Sequence, residues 1–79
     1  MLDQIKLWIN NFYMNNYQFD EEEFLRIIDE FADILPTFQP DEIMYINNIL
    51  QKIIDKYTIK DYFYVVEIFE YEFVPLFVD

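Results

Sequence analysis

The chain contains no cysteine, glycine, serine or histidine, and only one alanine and one arginine in 79 residues. Without cysteine it can build neither a disulfide scaffold nor a thiol redox centre, which suits a reducing compartment. Without Ser, Cys and His, no such hydroxyl or thiol can be paired with an imidazole base, and Thr37 and Thr58 are the only aliphatic hydroxyls left. Phosphate-cradling loops need glycine to bring the backbone close, and a helix–loop–helix calcium site needs one for its turn. Zinc sites draw on thiolate or imidazole, and di-iron bundles on Glu-x-x-His, so neither a metal nor a cofactor is expected. Long apolar runs are missing too. Asp3 stands where a signal peptide carries a base, and Asn10-Asn11 interrupts the first apolar stretch. These features predict a soluble cytoplasmic protein without membrane contact. The bias toward Ile, Asn, Tyr and Phe over Ala and Gly fits an AT-rich gene, from a low-GC bacterium or one of its viruses.

What the chain does have is acid and aromatic bulk. Its net charge is −11, its hydrophobic fraction 54% and its aromatic fraction 22%. So much apolar material argues against disorder, and the length predicts a single acidic domain over 1–79 with a small core. The charge is uneven. From Asp20 to Glu42 nine carboxylates face one base, Arg26, and from Asp61 to Asp79 five carboxylates face none. Between them, Ile43 to Lys60 carries Lys52, Lys56 and Lys60 against Asp55, for a net of +2.

Three similar helix-start signals recur, each with apolar residues bracketing a cap and an acid at the third helical position. They are Phe19-Asp20-Glu21-Glu22-Glu23-Phe24, Phe38-Gln39-Pro40-Asp41-Glu42-Ile43 and Tyr57-Thr58-Ile59-Lys60-Asp61-Tyr62. This nineteen-residue spacing predicts helices over 2–16, 20–35, 40–56 and 58–73, with Tyr57 alone joining the last two. The predicted core stripes are Leu2, Ile5, Ile9, Phe12; Phe24, Ile28, Phe31, Leu35, flanked by Leu25 and Ala32; Ile43, Ile46, Leu50, Ile53, Ile54; and Tyr62, Val65, Val66, Phe69, Phe73. The fold class is therefore all-α, a small four-helix bundle-like domain. Residues 62–74 also carry a strand-like signal, since Glu70-Tyr71-Glu72-Phe73 alternates, but no second strand-like run exists to pair with them. Pro75 is expected to stop either element.

Paired carboxylates are the remaining catalytic option. Glu67 with Glu70, or Asp29 with Asp33, share helical faces, but those faces are the polar ones, and acid–base work needs a pocket. The protein is therefore read as a binding protein and not as an enzyme. Lys52, Lys56 and Lys60 are expected to pair with acids of a neighbouring helix. The stripe Glu22, Arg26, Asp29, Asp33, with Glu23 and Glu30 alongside, masses like charges at a cost to folding, and a chain needing only solubility could interleave lysines. Such an array imitates a nucleic-acid backbone and would attract a basic groove. The carboxylates expected to bind a partner are Glu22, Asp29, Glu30, Asp33, Glu67, Glu70 and Glu72. Tyr13, Tyr17, Tyr64 and Tyr71 are the expected apolar anchors, with Tyr45 a further candidate.

In size, sign and lack of catalytic residues, the chain is similar to small acidic inhibitors of bacteria and their viruses. That group includes viral proteins that block restriction or CRISPR nucleases, and immunity proteins that neutralise nuclease toxins. The likeness implies a basic, nucleic-acid-binding partner protein, with no direct contact to nucleic acid. The alternatives are an immunity protein seated beside a toxin's active site, and a helical module that self-associates as a homodimer.

Overall fold

The computed structural model describes residues 1–77, so Asp79, counted above among the C-terminal acids, lies outside the described residues. Four α-helices form: α1 (Leu2–Met14), α2 (Glu21–Ile34), α3 (Pro40–Thr58) and α4 (Tyr62–Ile68). Two of the three helix starts follow the sequence signals. The Asp20 side chain accepts from the Glu23 backbone N–H at 3.1 Å, and the rings of Phe19 and Phe24 close over the cap with centroids 5.3 Å apart. At α3, glutamine is a weak cap, and Glu42 reaches back to accept from the Gln39 N–H at 2.9 Å while Pro40 opens the helix.

The third start falls elsewhere. Tyr57 and Thr58 belong to α3, and Thr58 Oγ1 donates to the Ile54 carbonyl at 2.8 Å instead of capping a new helix. Asp61 caps α4, accepting from the Tyr64 N–H at 3.3 Å. Aspartate outranks threonine as a cap, so the helix begins at the stronger residue. The connection is closed by Lys60 in the left-handed region (φ 62°), which lets the Asp61 N–H bond the Lys56 carbonyl at 2.9 Å. The first helix also ends two residues short of the expected Asn16. Asn16 and Tyr17 turn left-handed (φ 58° and 62°), and the Tyr17 N–H reaches back to the Phe12 carbonyl at 2.8 Å.

The C-terminal segment is helical throughout the described residues. A π-helical turn (Phe69–Phe73) follows α4 and a 3₁₀ turn (Val74–Phe77) follows that, so the winding continues past Pro75. Proline is accommodated there because it is the second residue of the new turn, where no N–H is required. The strand-like alternation also finds its explanation. Phe69 and Phe73 are both buried, while Glu70 points toward α1 and Glu72 toward α3.

The core draws on all four helices and the π-helical turn. Trp8 lies at its centre, its ring 5.2 Å from Phe69, 5.5 Å from Phe19 and 6.0 Å from Phe24, with Nε1 donating to the Asp20 carbonyl at 3.2 Å. Phe31 meets Phe73 at 4.8 Å, joining α2 to the C-terminal segment. Trp8, Ile27, Ile49 and Ile68 are buried although they fall outside the expected stripes, whereas Leu25, Ala32 and Ile54 are exposed. The reason is phase: α2 buries Phe24-Ile27-Phe31 and α3 buries Ile46-Ile49-Ile53, both at i, i+3, i+7, which turns Leu25 and Ile54 outward. No buried side-chain nitrogen or oxygen among the described residues lacks a partner.

Candidate protein-binding surface

On α2 the polar face repeats at helical spacing, with Arg26 at its middle. The guanidinium is ion-paired with both Glu23 and Glu30 and donates at 3.4 Å to Gln4 Oε1 on α1. The hydrogen bond from Arg26 holds the Glu23 carboxyl below its ordinary range, against a smaller opposing effect of desolvation. Glu23 therefore does not close a capping box as expected, since a charged donor one turn on outcompetes a single backbone N–H. Glu30 is likewise occupied. Glu22, Asp29 and Asp33 remain exposed and form no ion pair among the described residues. Asp33 stands in the last turn of α2, where the helix dipole disfavours an anion and no base compensates.

The C-terminal carboxylates have internal partners. Glu70 Oε1 accepts from the Tyr13 hydroxyl at 3.1 Å, and Glu72 pairs with Lys52 Nζ at 2.9 Å. Desolvation first, then the hydrogen bond to Glu70 and the nearby charges of Glu70, Tyr71 and Glu67, pushes the Tyr13 hydroxyl up to about 12. Glu67 is half-buried and makes no ion pair among the described residues. The lysines behave as expected at Lys52, whose ammonium is stabilised mainly by its hydrogen bond to Glu72. Lys56 Nζ sits 4.7 Å from the Tyr64 ring centroid, while Lys60 terminates α3.

The tyrosines divide accordingly. Tyr71 is 68% exposed between Glu70 and Glu72, and Tyr64 presents one half of its surface beside Lys56. Tyr45 is exposed on α3, at a shallow recess shared with Lys52 and Glu72. Tyr13 and Tyr17 meet at the end of α1, with ring centroids 6.0 Å apart. They are joined there by Phe63 of α4, 6.3 Å from Tyr13 and 5.7 Å from Tyr17. The sequence reading did not single out Phe63. The available signal was its position one turn before Glu67, outside the α4 core stripe.

Between α1 and the start of α2 runs an open groove of about 940 Å³, with Leu7, Met14 and the edge of Trp8 on one side and Asp20 to Glu23 on the other. Among the described residues no three or more acids come together in a way that could hold a metal ion, and no helix is long and apolar enough to cross a membrane. A scan against family models matches none, and searches of curated proteins and of solved structures find no significant match.

Proposed function

We propose that this protein is a non-enzymatic inhibitor that occupies the basic nucleic-acid site of a partner protein, such as a nuclease or another defence effector. One observation carries this reading: Glu22, Asp29 and Asp33 stand exposed and, among the described residues, without an ion pair along one face of α2. Eleven residues of helix place the first and last of them about 16 Å apart along the axis. The three are thus about 8 Å apart on average, a sparser array than the 3.4 Å axial spacing of phosphates along one nucleic-acid strand. Asp33 adds support, because its place at the helix C-terminus works against folding and calls for another use.

Affinity capture from the native host identifies the partner, and inhibition of that partner is then measured for Glu22→Lys, Asp29→Lys and Asp33→Lys combined. The expected result is loss of inhibition with helical content retained, and binding by the unaltered protein that weakens steeply with salt. Full inhibition by the triple variant would sink the proposal. Binding that persists in high salt, to one cognate toxin only, would favour the immunity-protein reading, which the exposed rings of Tyr17 and Phe63 beside half-buried Tyr13 equally support.

A further inference from the structure

We infer that the corner formed by Tyr13, Tyr17 and Phe63 receives an arginine side chain of the partner, its guanidinium against the rings and its charge toward Glu67 and Glu70. This rests on the reading above that the partner is basic, and it specifies what that partner inserts.

The corner is an aromatic cluster left on the outside. The central rings of Trp8 and Phe69 are buried, yet Tyr17 and Phe63 remain 59% and 47% exposed. The rings of Tyr13 and Tyr17 meet at 88° and those of Tyr13 and Phe63 at 82°, so the cluster presents faces in more than one direction. Tyr17 holds its place with a backbone in the left-handed region, a conformation that disfavours a bulky residue, fixed by its N–H bond to Phe12. The Tyr13 hydroxyl is tied to Glu70, which fixes ring and carboxylate together. Glu67 follows Phe63 by four residues on α4 and is close enough to act on the Tyr13 hydroxyl.

Ring faces beside carboxylates are complementary to a cation. Arginine fits better than lysine because its guanidinium is planar, weakly hydrated, stacks on rings and can bond a carboxylate with two N–H groups at once. Lys6 of this chain lines a shallow recess with Tyr13 and Glu70 yet forms no ion pair with Glu70 among the described residues. A second copy is a poor occupant, since it would bring another net −11 to the same face.

The test is an NMR titration of the intact protein with a hexa-arginine and, separately, a hexa-lysine peptide at low salt. The arginine peptide is expected to shift the ring resonances of Tyr13, Tyr17 and Phe63 and to bind roughly tenfold more tightly than the lysine peptide. Tyr17→Asn keeps a residue that tolerates the left-handed backbone and, combined with Phe63→Gln, should erase that preference. Glu22→Gln, Asp29→Asn and Asp33→Asn together should weaken both peptides alike and leave the ratio unchanged. Equal affinity for the two peptides in the unaltered protein, or shifts confined to α2, would overturn the proposal even if the ring variant failed to fold. Ring shifts that depend on protein concentration alone would overturn it in favour of a second copy. No partner enters this titration, so an arginine preference without any inhibition would sink only the functional reading, and the reverse outcome only the corner.

Discussion

The polar face of α2 and the segment from Tyr62 to Phe77 are both rich in carboxylates, but the fold disposes of them differently. The second segment lies against both α1 and α3, so Glu70 meets Tyr13 and Glu72 meets Lys52. Helix α2 faces solvent along its polar side, and its single guanidinium takes up Glu23 and Glu30 while Glu22, Asp29 and Asp33 form no ion pair among the described residues. Availability for a partner is thus set by what packs beside a carboxylate more than by how many are massed in the sequence. One region ties Glu70 and Glu72 into the molecule and leaves Glu67 without an ion pair among the described residues, while the other holds charge in spite of the cost.

The contrast can be broken most forcefully at Phe69, which is fully buried against Trp8 and Phe73. Phe69→Ala should remove about 3–5 kcal/mol, enough to unfold much of so small a domain, as read by denaturant titration. By comparison, neutralising Glu22, Asp29 and Asp33 should leave helical content intact. Alkaline pH tests the Tyr13–Glu70 link. Its hydroxyl is raised from 10.0 to about 12 in the folded state, so the proton is held more tightly there. The stability this contributes is complete below pH 10 and is lost as pH rises through about 12, amounting to about 2 kcal/mol after allowance for partial exposure. Tyr13→Phe should flatten much of that fall in an alkaline melting series, leaving the smaller contribution of Tyr57, raised chiefly by its hydrogen bond to Glu21. At the head of α4, Lys60→Gly should stabilise the protein by about 1 kcal/mol, because glycine accepts the left-handed backbone freely. The smallest effects should differ in sign. Asp33→Asn should raise the melting temperature by relieving an anion at a helix C-terminus, worth about 0.5 kcal/mol. Glu72→Gln should lower it by releasing Lys52. If both moved the same way, the division between the two regions would fail.

Much of the architecture was legible in the sequence because the starts of α2 and α3 carry their caps locally, at Asp20 and Gln39-Pro40-Asp41-Glu42. The join between α3 and α4 was misplaced for a physical reason: Thr58 and Asp61 are both cap residues, and the choice between them depended on Lys60 adopting a conformation that lysine seldom takes. Periodicity identified the apolar faces but missed their phase, since burial of Trp8, Ile27 and Ile49 depends on where neighbouring helices lie. At the candidate surface, the acids of α2 could be named from spacing alone. The engagement of Glu70, Glu72 and Tyr64 could not, because Tyr13, Lys52 and Lys56 come from other elements. The corner at Phe63 was hidden likewise, since its rings come from two helix ends far apart in the chain.

A backbone that turns left-handed at Asn16, Tyr17 and Lys60 without a single glycine leaves room for improvement as a scaffold. Ordinary substitutions destabilise by roughly 0.5–3 kcal/mol, so relieving one corner can offset one such change. Variant libraries of the α2 face are therefore best carried on a Lys60→Gly background, where tolerance widens away from the acids under selection. Tyr17 is the corner to leave alone, since its awkward backbone keeps an aromatic ring at the surface.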